Sequence, residues 1–155
     1  MGLTHEFYLI PDTTELKEFY LNAKKINGIA ESIAISDDII TYIYDSLEWI
    51  PSKNPATNQS SAKAYGFNYY GVTLFDVHSA AALKGVFAGW RDLFQYAPDL
   101  ITLKGTFIYG EGNNQAGEYE KIIVNRKELL SFFDKIISMA DRLAEGNYYV
   151  YHCGI

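Results

Sequence analysis

The sequence predicts a single-domain α+β fold, and three of its features carry that prediction. Segments that alternate polar and apolar residues are interleaved with segments of helical periodicity, Pro and Gly punctuate the boundaries, and 155 residues suffice for one hydrophobic core. No internal repeat or linker divides the chain, so residues 1–155 read as one globular domain. The expected order is β-α-α-β-α-β-β-α-β, a mixed or antiparallel sheet with helices packed on it. Strand order stays open, because any link through a single helix permits a parallel crossover.

Residues 3–10 alternate in polarity and form the first strand, which Pro11 ends. Asp12-Thr13-Thr14-Glu15 has the pattern of a capping box, with Leu16, Phe19, Tyr20, Ala23 and Ile26 following at helical spacing until Gly28 weakens the helix. Ser36 caps a second helix over 37–50, closed by Pro51. Residues 52–69 form a polar loop whose length marks it as functional or mobile. A short strand over 70–75 leads to Asp76, the cap of a third helix that reaches about residue 97 and buries Leu83, Phe87, Trp90 and Phe94. Residues 100–109 and 118–124 pair as a hairpin with a long tip. Asn125-Arg126-Lys127-Glu128 is a second capping box, opening a helix that turns Leu129, Phe133, Ile136, Ile137, Ala140 and Leu143 inward. Gly146-Asn147 stops that helix, and residues 148–153 make the last strand.

Charge is distributed unevenly. Residues 1–50 hold nine acids against three bases, whereas residues 51–155 hold ten of each, so the whole net charge of −6 sits in the first third. Such asymmetry repels phosphates and attracts basic partners, which argues against nucleic acid as a ligand. The N-terminus has no signal-peptide pattern, no apolar run reaches membrane-spanning length, and Glu6 replaces the Ser or Thr of a myristoylation motif. A lone cysteine, Cys153, fits a reducing compartment, and the expected location is the cytoplasm.

The second helix separates its residue types cleanly. At about 100° per residue, Ile39, Ile40, Ile43, Leu47 and Ile50 share one face, and Asp37, Asp38, Asp45 and Glu48 share the other, with Tyr42 and Trp49 along its edge. No Lys or Arg occurs between residues 31 and 50. The helix dipole accounts for Asp37 and Asp38 in the first turn. It does not account for Asp45 and Glu48 near the C-terminal end. Aromatic residues beside unpaired carboxylates are what a basic protein partner needs, so Asp37, Asp38, Tyr42, Asp45, Glu48 and Trp49 form the candidate partner-binding set.

Catalytic readings are weaker. His78 follows the capping Asp76 at a strand-to-helix corner, where a small hydrolase or transferase would place an acid–base pair, but Asp76 is already engaged as the cap. His152 and Cys153 are adjacent on a strand and point to opposite faces, so Cys153 reads as a structural thiol. Gly110, Gly112 and Gly117 precede a strand instead of a helix, which denies them phosphate-loop geometry. His5, His78 and His152 have no zinc spacing, and Glu111, Glu118 and Glu120 lack a calcium-loop context, so neither metal nor cofactor is expected. Gly85 and Gly89, with Ala81, Ala82 and Ala88, give the third helix a small-residue side suited to close packing within the domain or to an oligomer contact.

Trp90, Leu103-x-Gly105, Gly117-Glu118-Tyr119-Glu120 and His152-x-Gly154-Ile155, set in a small acidic α+β chain, resemble the immunity proteins encoded beside bacterial polymorphic or contact-dependent toxins. The resemblance implies a non-enzymatic inhibitor that binds one cognate toxin domain, often basic, and blocks its active site or substrate groove. The alternatives are an enzyme with a pocket near His78 and a ligand-binding or oligomeric housekeeping domain.

Overall fold

The computed structural model describes residues 2–16, 28–55, 64–112 and 116–155. Its organising element is a four-stranded sheet in the order β2-β1-β8-β5, every neighbouring pair antiparallel. The strands are β1 (Thr4–Pro11), β2 (Glu31–Ser36), β5 (Val72–Phe75) and β8 (Tyr148–Cys153). The chain is thus α+β with antiparallel sheets, and no strand pair among the described residues is a parallel crossover.

Side-chain alternation explains how this sheet divides the molecule. Phe7, Leu9, Phe75 and Val150 face one way and join the main core with helices α1 (Asp37–Leu47), α2 (Ala80–Phe94) and α3 (Arg126–Ala144). Tyr8, Ile10, Leu74 and Tyr151 face the other way into a smaller cluster that includes Leu16, Ile29 and half-buried Cys153. His152 and Cys153 accordingly lie on opposite faces, and burial raises the thiol to about 11, leaving it protonated and inert.

Several sequence expectations hold in detail. Ser36 caps α1 by accepting the Asp38 N–H, Asn125 caps α3 by accepting the Glu128 N–H, and Asp76 accepts the His78 N–H. Between that last cap and α2 lies a single 3-10 turn, Val77–Ser79. The apolar face of α1 is buried as expected, from Ile39 to Ile50. Ser46 also lies on this buried side, where it donates to the Ile43 carbonyl at 2.7 Å and accepts the Trp90 indole N–H at 2.8 Å, joining α1 to α2.

Three expectations need correction. The order omitted β2: residues 31–36 alternate Ile33 and Ile35 with small or polar residues, and they pair along β1 in place of a simple helix-to-helix link. The 52–69 loop is not structureless, because β3 (Pro51–Ser52) and β4 (Ala64–Tyr65) form a short ladder and Lys53 bridges to Leu74. Of the small residues of α2, Ala82 packs against the core, but Gly85 and Gly89 do not pack inside the domain: a Cβ at either would meet nothing within 4 Å. Most of the helix expected after Asp12 falls on residues 17–27, outside the described residues.

The hairpin strands β6 (Leu100–Ile108) and β7 (Glu118–Asn125) form their own two-stranded sheet. Its inner half packs on the core through Ile101, Leu103, Ile122 and Val124. A register shift between Lys104 and Phe107 marks a bulge at Gly105, whose missing Cβ would lie 3.1 Å from the Glu120 Cβ.

Beyond β8, the Gly154 N–H donates to the Gly71 carbonyl at 2.7 Å and Ile155 N–H to the Tyr69 carbonyl at 3.1 Å. A Cβ on Gly154 would overlap the Tyr69 carbonyl and lie 2.9 Å from the Asn68 carbonyl oxygen. Gly154→Ala should therefore destabilise the fold by roughly 1–3 kcal/mol, since backbone has to shift. Gly85→Ala, with open space in a helix interior, should stabilise by about 0.5–1 kcal/mol. Urea unfolding of the two variants checks the pair, and equal effects would contradict the packing described.

Candidate functional site: a buried histidine relay beneath an acidic cleft

The inward face of the sheet carries a group of buried polar residues where β1 begins and β8 ends. His5 is in phase with Phe7 and Leu9 on β1; Phe7 pairs with His152 on β8, and His152 pairs with Thr73 on β5. These three side chains therefore share one face, His5 and His152 diagonally across neighbouring strands. Both rings are fully buried and lie nearly parallel, 5.1 Å between centroids, meeting edge to edge with His5 Nδ1 2.8 Å from His152 Nε2. Phe7 and Phe67 close around His152, at 4.9 and 4.7 Å between ring centroids.

The relay continues into α1. Because β2 runs directly into the capped first turn, and the Asp37 N–H donates to the Leu3 carbonyl at 2.9 Å, the Asp37 side chain is carried over His5. His5 Nε2 lies 2.9 Å from Asp37 Oδ1, and the Tyr69 hydroxyl donates to the same oxygen. Burial first, then the hydrogen bond to Asp37, raises the Tyr69 phenol and keeps its proton in place for that bond.

With both rings neutral, one arrangement satisfies every contact. The Thr73 hydroxyl donates to His152 Nδ1 across 3.4 Å, His152 Nε2–H donates to His5 Nδ1, and His5 Nε2–H donates to the Asp37 carboxylate. Asn68 N–H in turn donates to Thr73 Oγ1 at 2.8 Å. The hydroxyl end of this chain is buried and the carboxylate end is at the surface. That is the reverse of what a nucleophilic triad requires.

Asp37 opens onto a cleft of about 460 Å³ between the first turns of α1 and the β6–β7 hairpin, lined also by Asp38, Thr41, Tyr42, Tyr69, Lys104 and Glu120. A neighbouring cleft of similar size runs from Asp38 along β7 past Glu118 and Tyr119. Lys104, a cation in the first cleft, places its ammonium 4.6 Å over the Tyr119 ring.

The expected partner-binding residues divide in the structure. Asp38, Tyr42, Asp45 and Trp49 follow one exposed stripe of α1 and its C-terminal turn, with Glu48 beside them; Trp49 is 68% exposed. Tyr42 rests against Trp90 and Phe94. Glu48 leans over Gly66, where a Cβ would meet its carboxylate at 2.8 Å. Asp37 departs from the expectation: bonded to His5 and Tyr69, it is withdrawn from the outer face, its side chain only 21% exposed. His78 is exposed and lines neither cleft, while burial works to raise the Asp76 carboxyl and hydrogen bonds from Lys53 and the His78 N–H outweigh it.

Five other acids are paired, Asp76 with Lys53, Asp99 with Arg126, Asp134 with Arg91, Asp141 with Lys84 and Glu145 with Arg142, whereas exposed Asp12, Glu15, Asp92, Glu111, Glu118, Glu120 and Glu128 have no ion pair among the described residues. Asp38, Asp45 and Glu48 have no ion pair among the described residues. Nor does any group of three or more His, Cys, Asp or Glu side chains among them form a metal site. No helix among them is long and apolar enough to cross a membrane.

The histidine pairing escaped the sequence reading because the residues lie 147 positions apart. A local signal existed: each histidine occupies an inward position of a strand, in phase with Phe7 or Val150. Burial, and secondarily the neighbouring His5, lowers His152 to about 3 from the ordinary 6.5. A ring neutral in the fold but protonated in the unfolded chain supports folding fully above pH 6.5 and loses that support as pH falls toward 3. Unfolding free energy should decline by up to roughly 1.4 kcal/mol per pH unit in that window. His152→Gln should flatten the decline, as urea titrations at several pH values would register; an unchanged slope would assign the acid sensitivity to other groups.

No family model matches the chain, and neither a curated protein nor a solved structure matches it.

Proposed function

We propose that this chain is a non-enzymatic binding protein that neutralises a basic protein partner, in the manner of a toxin immunity protein acting in the cytoplasm. The observation that carries the reading is the gathering of carboxylates and exposed aromatic rings on one helix face. Asp38, Asp45 and Glu48, which have no ion pair among the described residues, stand beside exposed Tyr42 and Trp49 on α1 and its C-terminal turn. Uncompensated carboxylates on one helix face repel each other, by about 0.2–0.5 kcal/mol for each like pair at helical spacing. A basic partner would relieve that repulsion, with long-range attraction accelerating encounter and Trp49 supplying apolar anchorage.

An enzyme centred on His78 gains nothing from the geometry, since its neighbour Asp76 is held by Lys53 and by the helix cap. An oligomer through Gly85 and Gly89 keeps only the fact that this side of α2 is open.

The natural candidate for the partner is the C-terminal domain of a large secreted protein encoded beside this chain. Reversing charge with Asp45→Lys and Glu48→Lys should lower its association rate at low salt about tenfold or more, with circular dichroism and thermal midpoint unchanged. Stopped-flow measurement at two ionic strengths checks this. Equal rates for the native and reversed chains at low salt would remove the face from consideration.

A further inference from the structure

The outer stripe of α1 leaves the cleft beside Asp37 without a role. Asp37 differs from every other acid of α1 in being held from behind. Its Oδ1 takes both His5 Nε2–H and the Tyr69 hydroxyl, while Oδ2 has no hydrogen-bond partner among the described residues, and the residue lines the cleft. The relay behind it occupies core space that an apolar side chain would fill without any need for hydrogen-bond partners. In exchange it fixes the direction of one carboxylate oxygen, the kind of pre-organisation that a binding site uses.

The walls give the chemistry of the occupant. Three carboxylates, Asp37, Asp38 and Glu120, meet one ammonium, Lys104, which already rests over the Tyr119 ring. Tyr42 and Tyr69 add aromatic surface on the α1 side. A cleft of about 460 Å³ lies within the size range of side-chain and small-ligand pockets. Anions are disfavoured by the charge. Among cations, a guanidinium suits the walls best, because it is planar, stacks on tyrosine, donates in a fixed fork to carboxylates and loses less hydration than an ammonium.

We infer that the cleft between α1 and the β6–β7 hairpin receives an arginine side chain of the partner, its guanidinium bonded to Asp37 Oδ2 and flanked by Tyr69 and Tyr42. This rests on the reading of the chain as a binder of a basic protein, and it names the group that the partner inserts.

The test is a titration of the whole ¹⁵N-labelled chain with N-acetyl-arginine amide, followed by NMR, with the lysine and glutamate amides in parallel. The arginine amide should shift the Asp37, Asp38, Thr41 and Gly105 signals saturably, with a dissociation constant on the order of millimolar. The lysine amide should bind at least about threefold more weakly, and the glutamate amide should not saturate. Asp37→Asn, which retains an acceptor for His5, should weaken arginine binding about tenfold. Should that variant fold poorly, Thr41→Lys, an exposed helix position at the cleft rim, supplies an internal cation and should abolish binding. Absence of saturable shifts, equal binding of the glutamate amide, or full binding by folded Thr41→Lys would each overturn the assignment. The double reversal at Asp45 and Glu48 separates the two ideas. No arginine binding to the native chain, with an association rate that the double reversal still lowers, defeats the cleft alone, whereas saturable arginine binding with insensitive rates upholds the cleft and defeats the outer face.

Discussion

The contact on which the rest of the site depends is the edge-to-edge hydrogen bond between the His5 and His152 rings. It joins the two central strands of the sheet and, through Asp37, fixes the helix that follows β2. Remove it, and two imidazoles lie in an aromatic core with their nitrogens unpaired, each at a desolvation cost of about 1–3 kcal/mol. The pairing therefore works as a constraint of geometry more than as a net source of stability. It dictates which rotamer each ring adopts and, through that, where the Asp37 carboxylate points.

From this anchor the surface acquires two different kinds of carboxylate. Asp37 is immobilised by bonds from below, whereas Asp38, Asp45 and Glu48 are exposed and have no ion pair among the described residues. Immobilised and solvated charges serve different ends in recognition. A fixed group determines orientation and dissociation, and a mobile solvated one shapes the approach. Their placement on one short helix, with Tyr42 between them, means a single element can supply both.

Much of this fold could be read before any coordinates. Caps at Ser36, Asp76 and Asn125, the buried isoleucines of α1 and the β6–β7 hairpin all obey local rules, since each depends on residues within a few positions of one another. The strand over residues 31–36 was missed because six residues between two helical patterns are too few for periodicity to register, and Ser36 drew attention as a cap. The relay was missed for a different reason. His5, Asp37, Thr73 and His152 belong to four separate elements, and only the β2-β1-β8-β5 order brings them to one face. That order is a property of long-range pairing, to which single-sequence patterns are blind. Asp37 shows the resulting error at the level of one residue: helical spacing places it with the outer acids, and a tertiary hydrogen bond withdraws it.

The bulge at Gly105 has a mechanical consequence. Inward of it, Ile101, Leu103, Ile122 and Val124 bind the hairpin to the body; outward of it, Phe107, Ile108, Tyr109 and Tyr119 stand largely in water. The ribbon is thus clamped at its root and loaded at its free length, like a cantilever. A given push on the outer aromatics produces its largest displacement there and its smallest beside the clamp, where Lys104 and Glu120 overlook α1. The spacing of Lys104 and Glu120 from α1 is therefore set by the packed root of the ribbon and not by its exposed length.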